Sequence, residues 1–192
     1  MLLAGCFAVV LCLMGCGKSH KGGNESKAIE GKTYYLKYNL HYYMMAKDTY
    51  GKASVVNYTD AQGHAMLPYN SQVTVELHSK AFTVIDSKGG TKVEVDCPSK
   101  FAQKTPAEYV DLVMSTSPVS YSGLSGTDRK GITEGKALNG MSKTGVMVAL
   151  GYPAPFATPS LDSDTWQYWR NKFVKFAVNF KNDAVVSTGK AE

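Results

Sequence analysis

The stretch Gly140-Met141-Ser142-Lys143-Thr144-Gly145-Val146-Met147-Val148-Ala149-Leu150-Gly151-Tyr152-Pro153 carries a complete helix signal, and Trp166-Gln167-Tyr168-Trp169 opens a run of strands behind it. Ser142 is a capping residue, Met141 before it can staple onto Val146, and Val146, Ala149 and Leu150 give one inner face. Gly151 and Pro153 stop the helix. After the proline-rich loop from Tyr152 to Ser163, Trp166 starts a strand. Val174, Phe176, Val178 and Phe180 alternate along another, and Asn182-Asp183 turns into Ala184-Val185-Val186.

Upstream, Thr105-Pro106-Ala107-Glu108 predicts a second helix start, with Thr105 as cap, Pro106 at the first helical position and Glu108 closing a capping box. Tyr109, Leu112 and Val113 form its apolar face, and the helix ends before Pro118. Residues 98–135 read as a helical connector. Within it the glycine-rich stretch from Ser122 onward allows at most a short helix over Asp128 to Glu134. Gly123-Leu124-Ser125-Gly126 is not a nucleophile elbow, because Thr127 stands where the second glycine is required.

Residues 33–97 carry strand signals without a helix. Tyr34, Leu36, Tyr38, Leu40 and Tyr42 alternate with Tyr35, Lys37, Asn39, His41 and Tyr43, which predicts one half-buried antiparallel strand. Such dense tyrosines suit core and cross-strand packing, and also a glycan-stacking platform. Ala53 to Tyr58 is a second strand, followed by the polar turn Thr59 to His64. Met66 to Ser71 turns into a strand bearing Val73, Val75 and Leu77, and Phe82 to Ile85 pairs across Lys88-Gly89-Gly90 with Val93 and Val95. Five strands with these turns predict a small antiparallel β barrel.

At the front, the apolar run Leu2 to Leu13 is too short to cross a bilayer, which takes about 20 residues, and suits the core of a signal peptide. It closes on Leu13-Met14-Gly15-Cys16, a lipobox, so residues 1–15 are expected to be removed and Cys16 to carry lipid. No Lys or Arg precedes the run, which a start codon further upstream would explain; Leu3-Ala4-Gly5-Cys6 is the alternative cleavage site. Gly17 after the cysteine favours the outer membrane under the sorting rule of enteric bacteria. Residues 16–32, polar and glycine-rich, read as a tether without a core, holding the folded part within about 25 Å of the bilayer. Gly31-Lys32-Thr33 is not a P-loop, since Ser26 stands where its first glycine belongs.

Of four cysteines, Cys97 alone then keeps a free thiol, so no intrachain disulfide is expected even in an oxidising compartment. The apolar fraction of 44% and charged fraction of 19% are those of a globular chain, which excludes an intrinsically disordered one. The net charge of +5 falls wholly after residue 15 and allows attraction to anionic lipid headgroups or acidic glycans, or simple solubility. His20, His41, His64 and His78 show no metal-binding spacing, and Asp162 and Asp164 lack an accompanying nucleophile or base. No enzyme, metal, cofactor or nucleic-acid partner is therefore expected. Trp166, Tyr168, Trp169, Arg170 and Lys172 mix aromatics with cations and are the candidate binding residues; packing in a core is the equal alternative, one on each face.

Gly140-Met141-Ser142-Lys143, Val146, Ala149-Leu150-Gly151-Tyr152-Pro153, Trp166-Gln167-Tyr168 and the closing hairpin together resemble the SmpA/OmlA family of BamE-like outer-membrane lipoproteins over the last third of the chain. The resemblance implies a module over residues 136–187 with two helices on a three-stranded antiparallel sheet, and a role beside the β-barrel assembly machine. Leu67-Pro68-Tyr69-Asn70-Ser71-Gln72-Val73 resembles the opening of SH3-like envelope modules. The chain departs from the first family in its β-rich front and the long loop Ala154 to Asp164. The expected protein is α+β, lipid-anchored, periplasm-facing and non-enzymatic, an envelope scaffold or assembly partner. Alternatives are a peptidoglycan-binding module and an inhibitor of a secreted enzyme.

Overall fold

Val73 and Val75, Phe82 and Val84, and Val93 and Val95 are all buried on one face, as period-two alternation requires. They line the first core of a computed structural model that describes residues 29–45 and 50–190. The lipobox, Cys16 and the expected tether up to residue 28 lie outside the described residues. Among the described residues the architecture is mixed α+β, with an eight-stranded curled half-barrel sheet, four helices and a C-terminal three-stranded antiparallel sheet.

The large sheet comprises β1 (Tyr34–Leu36), β2 (Leu40–Met44), β3 (Tyr50–Ser54), β4 (His64–Leu67), β5 (Gln72–Leu77), β6 (Ala81–Asp86), β7 (Lys92–Asp96) and β8 (Met114–Ser115). Its strand order is β4-β2-β3-β7-β6-β5-β1-β8. The helices are α1 (Ser99–Ala102), α2 (Pro106–Val113), α3 (Gly126–Glu134) and α4 (Lys143–Leu150). The small sheet has β9 (Thr165–Asn171), β10 (Val174–Lys181) and β11 (Ala184–Lys190), with β10 in the middle.

The first core lies inside the curl of the large sheet, where Tyr109 and Val110 of α2 pack against its valines. The Thr105 capping box forms as its sequence dictates: Thr105 Oγ1 accepts the Glu108 N–H and the Glu108 carboxylate accepts the Thr105 N–H. The second core brings Ile132 of α3 and Val146, Val148, Ala149 and Leu150 of α4 onto Trp166, Tyr168, Val178 and Phe180 of the small sheet. The turn Asn182-Asp183 has φ of 52° and 59°, the left-handed pair that a tight β10–β11 hairpin needs.

Several features differ from the sequence reading: β3 covers Tyr50–Ser54 where a strand over Ala53 to Tyr58 is expected, β8 joins the large sheet from within the expected helical connector, and α3 lies ahead of the module expected over residues 136–187. The ten residues Tyr34 to Tyr43 make two strands, because Asn39 turns inward between them and is only 2% exposed. The sheet is not antiparallel throughout: β3 pairs with β7 in parallel, Ala53 opposite Val95. The polar turn before Met66 ends early and yields β4, an edge strand on β2. Ile29, inside the expected tether, is buried in the first core, so the chain is pinned before β1 begins.

Candidate functional site

Strand β9 divides the five candidate binding residues by the alternation of its side chains. Trp166 (1% exposed) and Tyr168 (fully buried) face the second core, where Trp166 meets Phe180 at 4.9 Å between ring centroids. The Tyr168 hydroxyl donates to the Gly151 carbonyl at 3.1 Å. Trp169, expected on the opposite face and open to a partner, is covered too: Phe156 lies 5.4 Å from it, and Val56 and Ala154 complete a third small cluster. The segment after Val56 causes this, because Tyr58 bridges Trp169 in parallel and the Thr59 and Asp60 N–H groups donate to the Trp169 and Arg170 carbonyls. The aromatics of the candidate set are thus core residues, and only Arg170 and Lys172 reach the surface.

What lies outside is the tip of the β9–β10 hairpin. Asn171 Oδ1 accepts the N–H groups of Phe173 and Val174 at 2.9 and 3.1 Å, closing a turn that projects Phe173 into solvent at 81% exposure. The Lys172 ammonium sits 4.8 Å from the Phe173 ring, and Lys175 lies 5.8 Å from the Trp169 ring. Arg170 reaches Asp60 at 3.7 Å. A groove beside the tip is lined by Phe173, exposed Met45, Tyr43 and Tyr58. The sequence signal for Phe173 was its place: a large aromatic in a turn position between two strands, where no core can claim it.

A second arrangement joins the two halves of the molecule at the C-terminal end of α4, whose last carbonyls have no partners within the helix. The Asn39 N–H donates to the Val148 carbonyl at 2.9 Å, and its amide donates to Ala149 and Ile132 at 3.1 and 2.8 Å. His41 Nε2 lies 2.8 Å from the same Ala149 oxygen. A carbonyl only accepts, so Nε2 carries the proton and His41 Nδ1 presents a lone pair. That lone pair meets His64 Nε2 at 2.9 Å, which must therefore donate. Burial, opposed by the Ala149 bond and reinforced by His64, brings the His41 imidazole down to about 4. Burial also lowers His64, while Asp60 opposes this. His41 and His64 are 23 residues apart, so no local spacing reveals the pair.

The remaining candidates have structural roles. Asp162 takes Ser160 Oγ as acceptor for its N–H at 3.1 Å, and its carbonyl accepts from Lys143 at 3.1 Å. The Asp164 carbonyl accepts the Phe180 N–H at 2.7 Å. His78 pairs with Thr83 at 3.0 Å. Cys97 is buried, and burial pushes its thiol up to about 12, far from a reactive thiolate. Among the described residues, no group of three or more His, Cys, Asp or Glu is arranged to hold a metal ion, and no helix is long and apolar enough to cross a membrane. Comparison with protein-family models, curated proteins and solved structures found no match.

Proposed function

We propose that the chain is a bacterial lipoprotein, anchored through lipid on Cys16 to the periplasmic face of the outer membrane, and that it acts as a non-enzymatic scaffold or assembly partner of the BamE-like kind. The lipobox Leu13-Met14-Gly15-Cys16 and the neutral Gly17 support the anchor and its destination. The packing of α3 and α4 on the three-stranded sheet of β9, β10 and β11 supports the BamE-like reading, since two helices on such a sheet are what the resemblance implies, with α3 drawn from the stretch ahead of the expected 136–187 module. The SH3-like reading of residues 33–97 has as its support the curled sheet from β1 to β7.

One observation carries the partner role: a hairpin whose turn is closed by Asn171 presents Phe173 at its tip beside Lys172, with Arg170 and Lys175 on the adjoining strands and the strand's other aromatics held in cores behind it. An exposed aromatic on a preorganised element is what a contact surface needs, because little entropy is lost when it is covered. The partner is an envelope protein or complex, the β-barrel assembly machine by family resemblance. Anionic lipid or peptidoglycan would meet the same cations. Labelling cells with a palmitate analogue and separating their membranes tests the anchor: label in the outer-membrane fraction, lost in Cys16→Ala, is the expected result. Unlabelled protein in the soluble fraction would overturn it.

A further inference from the structure

Strands β2 and β4 bring three donors of one chemical character to one place. His41 lies opposite Met66 in the ladder and Tyr43 opposite His64, so His64 and Met66 flank His41 on one face of the β2–β4 pair. Gly135, at φ 63°, closes over that face with no side chain of its own. A Cβ there would lie 2.9 Å from both His41 Cε1 and Met66 Sδ, so the imidazole and the thioether border the same point. His64 lines a cleft between the two sheets that also reaches Asp60, Glu134 and Gly135, which gives solvent access.

We propose that His41, His64 and Met66 form a binding site for a soft monovalent cation, Cu(I) in the cell. His41 has the form of a prepared metal ligand: its Nε2–H is held by the Ala149 carbonyl, which fixes the tautomer and aims the Nδ1 lone pair. That lone pair points at His64 Nε2, only 2.9 Å away. A metal between the two nitrogens, each about 2 Å from it, needs them roughly 1 Å further apart. His64 can supply that shift, since it is exposed and sits on the edge strand β4, while His41 is fixed in the interior. The proton on His64 Nε2 passes through solvent to its Nδ1, so neither charge nor proton count changes on the protein. Met66 completes the set, and a thioether beside imidazoles selects a soft cation over Mg2+ or Ca2+.

The test uses the full chain with Cys6, Cys12, Cys16 and Cys97 changed to Ala, so that no thiol competes, and Ag(I) as a redox-inert probe alongside Cu(I). Calorimetry should find one site. Met66→Leu and His64→Gln, both near the edge of the sheet and checked by circular dichroism for an unchanged fold, should each weaken it by at least the about tenfold that loss of an outer-shell partner costs. His78→Gln and Met45→Leu should leave it unaltered. Absence of stoichiometric binding, or binding in Met66→Leu and His64→Gln as tight as in the parent protein, overturns the proposal.

Discussion

Asp128 and Ser142 tie two helix starts together. One carboxylate oxygen of Asp128 accepts both the N–H and the hydroxyl of Ser142, at 2.8 and 3.1 Å, and the other accepts both from Ser125 at 2.8 Å. Ser125 caps α3 and Ser142 caps α4, so a single buried side chain serves the N-terminal ends of both helices, where partial positive charge favours an anion.

Asp128→Asn keeps the shape but turns an amide N–H toward donors, and should cost about 1–3 kcal/mol in urea denaturation.

Stability should also depend on this carboxylate in acid. Burial alone would raise its pKa, but the four hydrogen bonds from Ser125 and Ser142 outweigh it and hold the group below its ordinary value. A depressed carboxylate contributes fully above its unfolded pKa and loses that contribution as pH falls through the folded one, below about pH 4. Denaturation series at several pH values should show a drop below pH 4 that is smaller in Asp128→Asn.

Gly145 is required by the same carboxylate. A Cβ there would overlap the Asp128 oxygen and lie 2.6 Å from its Cγ. Ala should therefore destabilise α4 by about 1–3 kcal/mol, where helix propensity alone would gain about 1. Paired with Asp128→Ala, which removes the two closest atoms and leaves only a tight 3.0 Å approach to its Cβ, the substitution should cost less, and a double-mutant cycle measures the difference.

Asn39→Ala should loosen the junction between the halves. It strands the Tyr69 N–H and leaves the Ile132 carbonyl with the Gly135 N–H alone, at 3.3 Å, and should cost about 1–3 kcal/mol. Amide hydrogen exchange in α4 should accelerate more than in β6, which has no contact with Asn39 through these bonds.

Much of this was legible from sequence, and the failures have causes. Caps at Thr105 and Ser142, the Asn182-Asp183 turn and the valine alternation are local, so nearby residues suffice to read them. The break at Asn39 was not readable, because its partners Ile132 and Ala149 lie 93 and 110 residues away. The same distance problem hid the parallel β3–β7 ladder and the cover that Tyr58 and Phe156 place over Trp169. Alternation on β9 told which residues share a face, but not that Trp169, on the face away from Trp166 and Tyr168, is covered as well.

Phe173 separates binding from stability. Because Phe173 is 81% exposed, Phe173→Ser should change stability by no more than about 0.5 kcal/mol while abolishing partner capture. The most direct test of the account places a photo-crosslinking residue at position 173 of the lipidated protein in intact cells, with Cys16→Ala as the mislocalised control. The account predicts a discrete adduct with an outer-membrane assembly protein, absent from the control. Adducts only with peptidoglycan fragments, or the same adducts in the control, would contradict it.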